Sequence, residues 1–183
     1  MSKRKVLVLG LGNDIMRDDA VGLHVTRELR QRLPKSPGIE VRESLEMGLA
    51  LLDHVAGFDE LVIIDAVQTG RAQPGTVHVL DGAALGPARF VSPHLLGVGE
   101  MLALGRAIGL AMPQRVIIYG IEVDDPFTVD TQLTPQLQSA LPRIVEQVMA
   151  GVLGLIAAHG HGATDPGGTG DAPTAASTAQ PTN

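Results

Sequence analysis

Residues 6–22 read Val-Leu-Val-Leu-Gly-Leu-Gly-Asn-Asp-Ile-Met-Arg-Asp-Asp-Ala-Val-Gly. The four apolar residues at 6–9 predict a buried strand, and Gly10-Leu11-Gly12-Asn13 a turn. From residue 18 to 33 the apolar spacing becomes helical, with Val21, Val25, Leu29 and Leu33 on one face. Pro34, Pro37 and Gly38 end that helix. A strand feeding a helix through a glycine turn is the opening unit of an α/β fold.

The same alternation continues along the chain. Strands are predicted at 39–43, 61–64 and 115–121, and an alternating edge strand at 76–80, bounded by Pro74-Gly75 and Asp81-Gly82. The 61–64 run (Leu-Val-Ile-Ile) is apolar on both faces, as a central parallel strand is. Helices are predicted at 45–55, at 95–108 and from Thr134-Pro135 to about residue 158, the last opening on a cap residue and a first-turn proline. The expected architecture is three-layered: a mostly parallel twisted sheet of about five strands with helices on both faces.

The chain has 183 residues, about one domain's worth, and is 44% hydrophobic but only 2% aromatic, so its core is aliphatic. Few aromatic platforms and a net charge of -6 disfavour nucleic acid as a partner. There is no cysteine, which excludes disulfides, thiolate metal sites and a thiol nucleophile. Any metal must be held by carboxylate, imidazole, amide or backbone groups. No run reaches the ~18–20 consecutive apolar residues that span a bilayer, the longest being 148–158. The basic start, Met-Ser-Lys-Arg-Lys, precedes a first strand rather than a signal peptide. A cytoplasmic location with no membrane partner is expected. Composition shifts near residue 159, dividing the chain into a domain at 1–159 and a Gly/Pro/Thr/Ala tail at 160–183 expected to be disordered.

In open parallel sheets, ligands bind beyond the carboxyl ends of the strands. Three groups fall there. Asp18 and Asp19 start the first helix; one acid serves as its amino cap, which is assigned to Asp18, leaving Asp19 free. Asp65 follows a strand buried on both faces, where a carboxylate needs a partner or a cation. His94 precedes a helix whose amino terminus keeps the ring neutral and able to bind metal. His24, His54 and His78 are assigned surface or packing roles, and the pair His159 and His161 at most weak, exposed metal binding. The glycines at 10 and 12 also invite a dinucleotide reading, but Ile15 stands where the fingerprint needs a third glycine, and two acids follow. Two carboxylates and an imidazole make a three-ligand metal site with open positions.

Residues 8–22, Val-Ile-Ile-Asp-Ala-Val-Gln-Thr-Gly at 62–70, Ser-Pro-His-Leu-Leu-Gly at 92–97 and Gly-Ile-Glu at 120–122 together resemble the hydrogenase maturation endopeptidases, over about residues 5–150. Their most specific element is Gly-x-Gly-Asn followed at fixed distance by two acids and a glycine. The family's first ligand is Glu or Asp, and Ala20 stands where many relatives have glycine. The resemblance implies a metal-binding and catalytic set of Asp19, Asp65 and His94. It also implies a partner: the large-subunit precursor of a [NiFe] hydrogenase, trimmed at its carboxy terminus after nickel insertion. Ni2+ then arrives with the precursor, and another divalent cation is expected to be able to occupy the site in isolation. The alternatives are a non-catalytic nickel-binding maturation chaperone and a nucleotide-binding domain.

Overall fold

The computed structural model describes residues 4–82 and 92–160. The opening stretch forms β1 (Val6–Leu11), a single 3-10 turn (Asp18–Ala20) and α1 (Val21–Arg32). β2 (Ile39–Ser44), β3 (Glu60–Val67), β4 (Val77–Asp81) and β5 (Arg115–Glu122) complete the strands. They form one sheet in the order β2-β1-β3-β5-β4. β1 runs parallel to β2 and β3, and β3 parallel to β5; β4 closes the edge antiparallel to β5. Every residue of β1 and β3 is buried, as their unbroken apolar runs require of interior strands covered on both faces.

Alternate residues divide the core into two layers. Val6, Val8, Val62, Ile64 and Ile121 face α1 and the long α4 (Pro135–Gly160), whose Ile144, Val145, Val148 and Val152 pack against them. Leu7, Leu9, Leu61, Ile63 and Ile118 face the other side, against Leu51, Val55 and Met101. That side carries a short 3-10 turn (Gly48–Leu51), the single-turn α2 (Leu52–Val55) and α3 (Val98–Ala107). The three-layer α/β architecture is as expected.

Three local differences matter for the site. The helix expected over 45–55 is reduced to a 3-10 turn and one α turn, because Gly48 has φ +58° and Leu45, Met47 and Leu49 point to solvent. The helix expected from residue 95 begins at Val98, behind Gly97 at φ +82°. β3 extends to Val67, so Asp65 lies inside the strand rather than after it. The most apolar 18-residue window of α4 within Pro135–Ala158 has a mean hydropathy of 1.5, enough by length and composition to cross a membrane. Only its 148–158 stretch is continuously apolar, and the inner stripe of the helix, Ile144, Val148, Val152 and Leu155, belongs to the core. The expected tail lies outside the described residues beyond Gly160.

Two glycines set how closely the opening unit folds. A Cβ on Gly22 would stand 2.3 Å from the Leu11 carbonyl oxygen and 2.5 Å from that of Ile64. One on Gly12, at φ +148°, would stand 2.2 Å from the Asp19 carbonyl oxygen. Only bare backbone allows α1 to start directly against the ends of β1 and β3, which brings Asp19 down onto the sheet rim.

Candidate active site

Asp19, Asp65 and His94 are all buried, at 7%, 0% and 4% exposure. The 3-10 turn before α1 presents Asp19, β3 presents Asp65, and the turn before α3 presents His94. His94 Nε2 is 3.0 Å from Asp19 Oδ2. Asp65 Oδ2 accepts a hydrogen bond from the hydroxyl of Ser92, and Oδ1 accepts one from the Ala66 amide at 3.0 Å. The Ser92 hydroxyl oxygen also accepts the Leu95 amide at 3.3 Å, which ties Asp65 to the His94 turn. The structure therefore brings the three residues onto one buried rim. Asp19 and His94 are directly joined, with Asp65 close enough to act on both electrostatically. Among the described residues, no three acidic or histidine side chains converge tightly enough to form a preassembled metal cage.

Burial raises the Asp65 pKa to about 7, against the pull of the Ser92 hydroxyl and the charge of His94, with the nearby Asp19 adding to the rise. At neutral pH this acid is poised to hold or release a proton. Burial works against the charged form of His94, but its hydrogen bond to Asp19 and the charges of Asp65 and Asp19 win, and its pKa is raised. The main-chain carbonyl of Glu46 lies beside the His94 ring and favours protonation, yet buried Nδ1 has no hydrogen bond of full geometry. Nδ1 thus faces the Glu46 carbonyl, and Nε2, on Asp19, is the nitrogen turned to the other two site residues.

Asp18 corrects the sequence reading. It makes no side-chain cap of the helix that follows. Instead it is fully buried and accepts the Thr134 amide at 2.8 Å, the Thr134 hydroxyl at 3.1 Å and the Asp125 amide at 3.2 Å. Beside it, Arg17 binds Asp125 at 3.1 Å and Asp130 at 2.7 Å. A β-bridge between Met16 and Val129 completes the clamp. Asp18 and Arg17 thus fasten the loop leading to α4 onto the segment that carries Asp19, while Asp19 itself is free of that duty.

Sequence reasoning gave no role to Glu122. Its carboxylate, 2% exposed as a residue, accepts the Thr69 amide at 2.8 Å, the Gly70 amide at 3.0 Å and the Thr69 hydroxyl at 2.8 Å. His78 Nε2 lies 2.9 Å from it. Burial opposes ionisation, but these bonds hold the Glu122 pKa below its ordinary value. An acid closing an apolar strand, the signal used for Asp65, was equally present here. Of the remaining histidines, His54 pairs with Glu46 at 3.0 Å. His24 lines an open pocket of about 510 Å³, with Thr131, Gln132, Leu133, Pro135 and Gln138, that includes none of the three site residues. Burial, then the Arg27 charge, hold the His24 pKa below its ordinary value.

A profile of hydrogenase maturation proteases matches residues 23–151, beginning just after Asp19. The hydrogenase 2 maturation protease of Escherichia coli (strain K12) is 31% identical over 149 residues, covering 80% of this chain and 89% of the relative. Among solved structures, the hydrogenase maturating endopeptidase HybD from E. coli superposes with a TM-score of 0.71 at 29% identity, over 82% of this chain and 93% of that one. The [NiFe] hydrogenase maturation protease HybD from Thermococcus kodakarensis does so with a TM-score of 0.60 at 27% identity, over 79% and 96%. With this fold, this rim and these relatives, the chain belongs to the hydrogenase maturation protease family.

Proposed function

We propose that this protein is the endopeptidase that removes the carboxy-terminal extension from a nickel-loaded [NiFe]-hydrogenase large-subunit precursor, and that Asp19, Asp65 and His94 carry the reaction. The observation that supports it most is the buried Asp19–His94 pair beside an Asp65 whose pKa lies at about 7. The donor set fits a metal that arrives with its substrate. Two carboxylates and an imidazole offer oxygen and nitrogen ligands, and the chain has no cysteine to offer sulfur. Because His94 and Asp19 bond each other, engaging a cation means replacing the proton between them, so binding releases a proton. A precursor-borne nickel ion would polarise the scissile carbonyl or the attacking water.

The chain's own residues supply the rest. Asp65, near its half-titration point at neutral pH, takes a proton from water in one step and returns it to the departing amine in the next. Ser92 fixes the orientation of that carboxylate by its hydroxyl. Asp19 fixes the His94 ring and balances its charge.

Incubation of the purified protein with nickel-loaded precursor, followed by intact mass spectrometry, tests the proposal. The expected result is a precursor shortened by one carboxy-terminal peptide. A precursor bound but unchanged in mass would overturn it in favour of a nickel-binding chaperone.

A further inference from the structure

Large apolar side chains are concentrated around this rim on the outside of the protein. Ile15, Phe127 and Val129 form one group, at 55%, 61% and 77% exposure. Leu45, Met47, Leu49 and Leu96 form another, with Leu96 at 78%. Together they are more than half of the large apolar side chains exposed among the described residues. All are borne by segments that leave the carboxyl ends of β1, β2 and β5 or by the turn after His94.

The two groups are joined through the site by an unbroken series of contacts. Val129 bridges to Met16, Asp130 donates its amide to the Ile15 carbonyl, and the Ala20 amide, next to Asp19, bonds the Met16 carbonyl. Asp19 then bonds His94. The Glu46 carbonyl stands beside the far side of the His94 ring, and Gly48 packs against Gly97, so the 45–49 segment and the 94–97 turn lie together. One apolar group is attached to the Asp19 side of the pair and the other to the Glu46 side.

The first group is also held rigidly. The Arg17 guanidinium between Asp125 and Asp130, and Asp18 on Thr134 and Asp125, lock the loop that displays Phe127 and Val129. Exposing apolar side chains on a fastened loop is unfavourable for the free protein and suits a surface that is covered in use.

We infer that these two groups are docking ledges for the polypeptide on either side of the cleaved bond, and that the occupant is the apolar part of the protein substrate rather than a second copy of this chain. This rests on the proposed endopeptidase reading, since the two ledges are carried by the segments that flank Asp19 and His94. Covering one such side chain contributes about an order of magnitude in affinity.

The test uses Phe127→Ser with Val129→Ser, Met47→Ser with Leu96→Ser, and Val79→Ser with Leu104→Ser as an exposed control away from the rim. Equilibrium binding of nickel-loaded precursor is read by fluorescence anisotropy, cleavage by mass spectrometry, and self-association by sedimentation. At least tenfold weaker binding in both rim variants, with the control unchanged, supports the ledges; where cleavage is seen, kcat/KM falls through KM. Equal binding by rim and control variants overturns them even if cleavage proceeds. Wild-type self-association abolished by the rim substitutions, with precursor binding intact, also overturns them and assigns the face to a second copy. Binding that shows the rim effect without any cleavage leaves the ledges standing and overturns the endopeptidase reading instead.

Discussion

Asp65 on β3 and Glu122 on β5 are buried acids on adjacent parallel strands, Asp65 opposite Gly120 and Glu122 opposite Val67. Glu122 accepts two amides and a hydroxyl and has His78 beside it, and its pKa is lowered. Asp65 accepts one amide and one hydroxyl, feels the charges of His94 and Asp19, and has a pKa raised to about 7. Both acids are out of contact with solvent, but Asp65 lies deeper, so burial pushes it up harder, and fewer donors reach its oxygens; the two pKa values therefore move in opposite directions. Glu122 is ionised and fully occupied, and it pins the loop after β3. Asp65 is left unfinished, and such an acid gains most from a cation or a proton-transfer role.

The comparison breaks most directly at Asp65. Asp65→Asn should lower precursor trimming by about 10³-fold, the middle of the range for losing a general acid–base group, with the fold intact by circular dichroism. Trimming within tenfold of wild type would reverse the assignment. Glu122→Ala should behave the other way. Removing the carboxylate takes charged hydrogen bonds from half-buried Thr69 and exposed Gly70, whose amides can turn to water, and costs about 2 kcal/mol, or roughly 4–8 °C in Tm for a domain of this size. Trimming measured well below that Tm should stay within a few-fold of wild type. Activity lost without a thermal shift would make Glu122 part of the reaction.

Stability against pH separates the two acids by sign. The folded-state pKa of Asp65, about 7, lies above its ordinary 3.8, so between these values the folded protein holds a proton that the unfolded chain has released. Its contribution is full below about pH 3.8, shrinks as pH rises and is gone above about 7. Glu122 has a folded pKa below its ordinary 4.5; its contribution is present above 4.5 and lost as pH falls through the lowered value. Denaturation curves of wild type minus Asp65→Asn should therefore slope downward with pH from about 4 to 7, and wild type minus Glu122→Gln upward at acid pH. Parallel slopes would abolish the distinction.

How far the sequence revealed this contrast follows from what each feature depends on. The β1 and β3 runs and the α1 stripe are legible because strand and helix periods are local, and the sheet rule accounts for Asp19 and Asp65; it does not account for His94, because β4 runs antiparallel and ends at the opposite side of the sheet. Asp18 reads as a cap in sequence because its real partners, Thr134 and Asp125, are more than a hundred residues away. The 45–55 segment reads as a longer helix than it forms because Leu45, Met47 and Leu49 look like core residues but face solvent. Ser92 was visible in a motif, yet its bond to Asp65 depends on the turn that places it. The difference between Asp65 and Glu122 is invisible in sequence, since both close apolar runs and only the folded loops decide which oxygens find donors.

The finest test removes one hydroxyl from each acid. Thr69→Val takes a single donor from Glu122, which keeps both amides and His78; it should cost about 1 kcal/mol, roughly 2–4 °C in Tm, and leave the pH profile of trimming in place. Ser92→Ala takes the one side-chain donor from Asp65. That bond favours the ionised carboxylate and pulls its pKa down, so its loss must raise the pKa further. If trimming requires ionised Asp65, the acid limb of the kcat/KM profile moves to higher pH, with a loss of rate at pH 7 that is largely recovered at pH 8.5. Ser92→Thr keeps the hydroxyl and should restore the wild-type limb. A Ser92→Ala enzyme whose rate falls equally at all pH values would show that Ser92 only shapes the His94 turn through the Leu95 amide, and would detach it from the proton chemistry of Asp65.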